Sequence, residues 1–477
     1  MRDEKRLTRK EKFGYGFAAI GDSASYSFVS AFSLFFLTTV AGVPAVSAGI
    51  ITSIGGIWNG IWSPIIGYLT DKSASKYGRR RPYMLIGAFL VSGAIIFLFT
   101  SITAGDAVKT IYYSVMTVLF WSGFSVFFIP YLALGAELTD DYNERTVLRS
   151  FASAFNHVGS LIGMVAATFI VAILTGKEVS IQSAWQCAGI VVAIVTFFSI
   201  LGTWRTTRGA EKNLPMANPR KNKTTDRSVP RWNILREYLQ VIKLKPLKYL
   251  VAGSILYLAA NTLNISGRMY FLSYNMGLSK SEITLVYLFV GVVGILVVPA
   301  IIKTSGLFGK RTVFMVGVLL SCVVVVISGI RGMHTFPELF VFLFFVACGN
   351  GCYWQLFPSM IYDICEVDEF VYGQRREGIV VSIQSLSEAL SAGVTVFVLS
   401  IILDRSGFDN QLTMQSAGTL QWISHSITFI PAVCMVLSVF CVFLYPLTQK
   451  RFDLLKDALE KKANGEAYDR DALNKLI

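Results

Sequence analysis

The sequence predicts an all-α membrane protein of twelve transmembrane helices, arranged as two six-helix halves. Three observations carry this. The 477-residue chain is 53% hydrophobic, with a mean hydropathy of +0.56, where soluble domains sit nearer about 45–50% apolar. Apolar runs of about 20 residues, the length that crosses a bilayer, recur twelve times. The basic residues alternate between rich and poor loops, as they do when the rich loops stay on the cytoplasmic side.

The spans follow in order. Span one, 13–41, opens Phe13-Gly14-Tyr15-Gly16-Phe17 and continues Gly21-Asp22-Ser23; glycines beside an acidic group let other helices or a ligand come close. Span two, 46–70, carries Trp58-Asn59 and Ser63-Pro64. Span three, 83–103, follows the loop with Lys72, Lys76, Arg79, Arg80 and Arg81. Span four, 108–136, holds Trp121-Ser122; spans five and six are 151–174 and 184–203. The stretch 204–247 is polar and contains Pro215, Pro219 and Pro230, the composition of a flexible cytoplasmic linker. Span seven, 248–276, contains Arg268, and spans eight and nine are 282–303 and 311–330. Span ten, 337–362, holds Trp354-Gln355, and span eleven, 378–403, holds Gln384 and Glu388. Span twelve is 424–446, and the tail, 447–477, has the apolar spacing of an amphipathic helix. The expected organisation is a first bundle over 1–203, the linker, a second bundle over 248–446 and the tail. Gly78 and Gly309 are 231 residues apart, as are Arg145 and Arg376, and Glu137 and Asp368. One offset at several positions indicates a duplicated six-helix unit.

Counting residues at the span ends with the adjoining loops, 37 of the 43 lysines and arginines fall in the termini and loops read as cytoplasmic, five in outer loops (Lys109, Lys177, Lys280, Arg331 and Arg405), and Arg268 alone in the interior of a span. Both termini are therefore expected in the cytoplasm, and the protein in the cell membrane. The net charge of +13 then faces anionic headgroups of the lipid bilayer, and no nucleic-acid partner is expected. No cleavable leader is expected, because the first apolar run is too long and lacks a small-residue cleavage site. Six of the seven cysteines fall inside spans, which argues against a disulfide framework. Phosphate-cradling loops, metal-ligand clusters and nucleophile–base pairs are missing from the sequence. A non-enzymatic monomer without cofactor is expected.

Charged groups inside spans are costly and point to function. Asp22, Arg268 and Glu388 are the candidates. Arg268 suits a ligand carboxylate or hydroxyl, or pairs with Asp22 or Glu388; Asp22 and Glu388 are candidate proton carriers. Tyr26, Trp58, Asn59, Trp121, Trp354, Gln355 and Gln384 add flat apolar faces and amides, the combination that sugar rings need. At the cytoplasmic ends Asp71, Arg79, Arg80, Arg145, Asp368 and Arg376 are candidate gate residues, whose ion pairs form in one state and break in another.

The motifs Asp71-Lys72-Ser73 … Gly78-Arg79-Arg80-Arg81-Pro82, Ile129-Pro130-Tyr131, Asp141-Tyr142-Asn143-Glu144-Arg145 and Tyr362-Asp363 … Gly373-Gln374-Arg375-Arg376-Glu377-Gly378 resemble the glycoside–pentoside–hexuronide:cation symporters, of which the melibiose permease is the best-known member. The resemblance implies the major-facilitator fold and uptake of a sugar or glycoside driven by sodium or protons. It also implies two acidic cation ligands in span two, where this chain has Asn59 and Ser63. Neutral oxygens alone make a weak sodium site, so protons are favoured over sodium. The acidic position of span one falls on Ser23, beside Asp22, and the span-eleven lysine of the pattern falls near Ala389, beside Glu388. The shell of the family is kept and its polar interior rewritten. Two other readings stay open: a carrier of a non-sugar solute such as a lysolipid or organic acid, and a transport-inactive sensor.

Overall fold

The computed structural model describes residues 8–71, 73, 75, 78, 80–138, 142–208, 231–373, 376–412 and 414–464, all helix or short connection with no strand among them. In order the helices are α1 (Arg9–Phe35), α2 (Ala45–Asp71), α3 (Arg81–Leu98), α4 (Asp106–Glu137), α5 (Tyr142–Leu161), α6 (Ala167–Gly176), α7 (Ile181–Thr206), α8 (Arg231–Lys243), α9 (Lys245–Tyr270), α10 (Lys280–Phe308), α11 (Lys310–Arg331), α12 (Phe336–Tyr372), α13 (Glu377–Arg405), α14 (Ala417–Ile427), α15 (Phe429–Leu444) and α16 (Gln449–Asn464). One wide π turn joins α5 to α6, and others extend α1 over Phe36–Val40 and α9 over Phe271–Asn275.

Among the described residues eleven crossings are long and apolar enough to span a membrane. The twelfth predicted span is α2, whose 27 residues suffice in length but are diluted by glycine, hydroxyl residues and Asn59. Three features differ from the sequence reading. The tenth span runs on to Tyr372, because its apolar face continues past Pro358 to a left-handed Gly373 cap. The twelfth breaks between α14 and α15 at Thr428. Part of the predicted linker is the helix α8.

The chain forms two compact units. The first contains Met1–Thr224, Ile265–Gly291 and Gly393–Ile423; the second contains Thr225–Asn264, Val292–Ala392 and Ser424–Ile477. In the first unit small residues bring backbones together, as packing in lipid requires. A Cβ on Gly87 of α3 would stand 2.5 Å from the backbone nitrogen of Phe127 in α4, and one on Gly123 of α4 would stand 2.8 Å from that of Val91. Gly159 and Gly163 of α5 and its π turn face the carbonyls of Ile20 and Ala24 in the same way. Thr203 of α7 bridges to α1, accepting from the Ala18 amide at 2.7 Å and donating to the Gly14 carbonyl at 2.6 Å. Phe28, Phe32, Phe36 and Phe99 surround Trp185, which is fully buried.

At the end of this unit away from the basic loops, side chains satisfy the carbonyls of the π turn after α1. Lys109 donates to the Ala41 carbonyl and Asn410 to that of Thr38, both at 2.7 Å. The Thr38 and Tyr270 hydroxyls share a 2.6 Å bond, and Ser53 donates to the Gly393 carbonyl at 2.7 Å. These bonds tie residues of the first two spans to residues of the seventh and eleventh and to the loop beyond.

Two local features recur in the earlier and later parts of the chain. Phe36-Leu37 … Gly42 and Phe271-Leu272 … Gly277 both form a π turn closed by a glycine at positive φ, +67° and +60°. Arg81 at the start of α3 donates to the Trp204 carbonyl near the end of α7 and stacks over its ring at 4.7 Å. Arg311 at the start of α11 does the same at the end of α15, with the Val442 and Phe443 carbonyls and the Phe443 ring. A cation at a helix C-terminus satisfies orphan carbonyls and complements the dipole.

Valine at Gly87 should cost about 1–3 kcal/mol, the usual penalty of overpacking, and lower the thermal unfolding midpoint in detergent. Alanine at Gly93 of the same helix, where an added Cβ meets nothing within 4 Å, should leave the midpoint unchanged. Equal effects would refute the notch.

Candidate functional site

Spans one, two and four supply one polar cluster in the first unit. The periodicity that turns Trp58 and Asn59 of α2 toward α4 meets Ser122 and Ser125 there. Trp58 Nε1 donates to Ser122 Oγ at 2.7 Å, and the Trp58 and Trp62 rings stack at 5.5 Å. Asn59 Oδ1 accepts from Ser125 Oγ at 2.7 Å. Ser63 Oγ lies 3.1 Å from Ser125 Oγ and donates to the Asn59 carbonyl at 2.8 Å. Asn59, Ser63 and Ser125 thus form a neutral hydrogen-bonded triad. Trp121 packs over Gly55, where any side chain would collide with its indole. Tyr26, still 41% exposed, sets its ring edge-on to Trp121 at 5.9 Å.

Asp22 lies on α1 in the same unit, 8% exposed, with its Oδ1 buried and bonded to nothing among the described residues. Its neighbours in sequence are engaged: Ser23 Oγ donates to Asn156 Oδ1 at 2.9 Å, and Ser25 Oγ to the Asp22 carbonyl at 3.0 Å. Arg268 is buried at 6% exposure, its guanidinium 5.9 Å from the centre of the Tyr287 ring.

The second unit holds a separate cluster. Gln384 Nε2 donates to Ser254 Oγ at 2.6 Å and to Glu388 Oε1 at 2.9 Å. Tyr353 Oη donates to Glu388 Oε1 at 3.2 Å and shares a 2.6 Å bond with Ser254 Oγ. The Tyr353 ring stacks on Tyr257 at 4.8 Å. Trp354 and Gln355 follow Tyr353 on α12; Trp354 is 45% exposed. Sequence reasoning missed Ser125, Ser254 and Tyr353. Hydroxyl residues are common in ordinary spans, and only their partners across a helix interface mark these three.

Of the gate candidates, Asp368 and Arg376 form a closed ion pair. Arg376 Nη2 and Nε reach the Asp368 carboxylate at 2.6 and 3.0 Å, and Asp368 is fully buried. The Asp368 hydrogen bonds raise the Arg376 guanidinium further above its ordinary range. Arg376 Nη1 also donates to Gln240 Oε1 at 2.9 Å, so α8 joins the pair. Arg80 donates to the Thr70 hydroxyl at 2.8 Å. The side chains of Asp71, Arg79 and Arg145 lie outside the described residues. Among the described residues no group of three or more His, Cys, Asp and Glu could hold a metal ion.

Comparison with known proteins covers almost the whole chain. Residues 14–449 match the family model described as MFS/sugar transport protein. An uncharacterized symporter of Bacillus subtilis, YjmB, is 27% identical over 96% of this chain and 97% of its own. A putative sulfoquinovose importer of Escherichia coli is 24% identical over 97% and 96%. Among solved structures a D-xylose–proton symporter superposes with a TM-score of 0.65 at 15% identity, covering 91% of this chain and 96% of its own, a likeness of fold.

Removing one partner of a buried ion pair strands the other. Arg376→Ala should therefore cost about 3–5 kcal/mol and lower the unfolding midpoint by several degrees. Gln240→Ala, which leaves the pair intact, should cost much less. A small effect of Arg376→Ala would show that the pair adds nothing to stability.

Proposed function

The chain belongs to the MFS/sugar transport protein family, and on that premise we propose that it carries a sugar or glycoside across the cell membrane by alternating access, coupled to protons rather than sodium. The family match, the symporter relatives and the twelve-span major-facilitator fold support a secondary carrier. Tyr26, Trp58 and Trp121 offer the aromatic faces on which a pyranose or furanose ring rests, with Ser122 and the Asn59 amide nearby for hydroxyls. Arg268 supplies a buried guanidinium for a hydroxyl or an acidic substituent of the same solute.

The observation that carries the coupling reading is the Asn59–Ser63–Ser125 triad. These oxygens already bond one another and bring no charge. Sodium binds weakly to neutral oxygens without a carboxylate. Asp22 and Glu388 remain as acid groups able to take and release a proton within the span region. Glu388, held by Tyr353 and Gln384, is oriented by groups that a solute could displace. The two termini are read as cytoplasmic, on the positive-inside rule, and the carrier as a single chain.

Proteoliposomes loaded with a panel of labelled sugars test this. At least one sugar should show counterflow, and an inward gradient of one pH unit should drive its accumulation up to about tenfold, with no response to sodium at fixed pH. Asp22→Asn or Glu388→Gln should abolish accumulation while leaving counterflow. A steep sodium response that Asn59→Ala removes would overturn the coupling reading. Flux of a lipid or organic acid with no sugar counterflow would overturn the sugar reading, and ligand binding without any flux would indicate a sensor.

A further inference from the structure

A cavity of about 380 Å³ opens in the second unit at the start of α11. It shares Phe308, Gly309, Lys310 and Gln449 with an adjoining groove. Gly309, the residue that begins α11, sits at φ +81° and brings no side chain to cap the helix. The first-turn amides of Lys310, Arg311 and Thr312 therefore point out of a 22-residue helix at its positive end. Such an end binds anions.

The lining adds charge. Lys310, Arg311 and Lys450 line the cavity against a single carboxylate, Asp363. Lys310 Nζ contacts both Asp363 oxygens, at 2.9 and 2.8 Å, which balances that pair and leaves Arg311 and Lys450 in excess. A second, independent feature points the same way. Tyr445 lines the same cavity at 2% exposure, and its hydroxyl is buried without a hydrogen-bond partner among the described residues. A buried hydroxyl left unbonded costs free energy that an incoming acceptor recovers. Beside the charged floor stand Leu307, Phe308 and Phe443, 71, 67 and 62% exposed, an apolar rim of the kind that acyl chains cover.

We propose that this pocket holds the phosphate of an anionic phospholipid. The phosphate oxygens accept from the first-turn amides of α11, from the Lys450 ammonium and from the Tyr445 hydroxyl. The acyl chains lie along Leu307, Phe308 and Phe443. The cation excess favours an anionic headgroup over a choline, whose own positive charge would face Arg311 and Lys450. The position fits the face read as cytoplasmic, where anionic lipids concentrate. The lipid would cover the end of α11 whose Arg311 caps α15, steadying that corner of the unit.

Native mass spectrometry of the full-length protein in detergent, titrated with phosphatidylglycerol or phosphatidylcholine, tests this. Wild type should retain phosphatidylglycerol in preference to phosphatidylcholine. The double variant Tyr445→Phe/Lys450→Ala should lower phosphatidylglycerol occupancy about tenfold, the loss expected for charge-assisted hydrogen bonds. Tyr445→Phe alone keeps the ring and removes a hydroxyl that bonds nothing among the described residues, so it decides the matter if the double variant fails to fold. Equal retention by wild type and Tyr445→Phe, or equal retention of the two lipids, would overturn the proposal. Displacement of phosphatidylglycerol by millimolar inorganic phosphate would assign the pocket to a free oxyanion and overturn the lipid.

Discussion

A peptide group that meets neither its own helix nor another partner is the one thing this chain cannot leave inside lipid. Twelve crossings satisfy most of their backbone by being helical. The places that need help are those where the helix widens or ends, and side chains are stationed there. Lys109, Asn410 and Thr38, whose hydroxyl donates to the Leu34 carbonyl, attend the widened turn after α1. Arg81 and Arg311 attend the last carbonyls of α7 and α15. The same requirement explains the glycines and threonines between α1, α3, α4, α5 and α7, since neighbours in hydrocarbon gain from packing and from hydrogen bonds rather than from excluding water.

Much of this was legible beforehand. The spans could be counted because length and apolarity decide them, and the motif residues around Arg79 and Arg376 identified the family. What the sequence did not disclose has a physical reason in each case. Helix α8 hides in a segment with Pro230 before it and basic residues throughout; it is fixed by Tyr238 on Ser382 and Gln240 on Arg376, contacts that cross more than a hundred residues. The break at Thr428 interrupts an apolar run that reads as continuous. The repeat at Phe36-Leu37 and Phe271-Leu272 rests on backbone shape, with only three matching residue types to betray it.

The candidate site divides in the same way. Asp22, Arg268 and Glu388 stood out because charge in a span is rare. Their surroundings did not, since Ser125, Ser254 and Tyr353 are unremarkable until placed opposite Asn59, Gln384 and Glu388. The interior of the first unit is notable for what replaced the acidic pair of the resembled symporters. Asn59 and Ser63 stand where the resemblance implies that pair, and offer neutral oxygens that bond one another and Ser125.

The bonds around Thr38 join residues that lie far apart in the chain. Tyr270 reaches Thr38 across more than two hundred positions, and Asn410 reaches the same residue from further still. A change at Thr38 is therefore met at once by two partners encoded more than two hundred residues downstream.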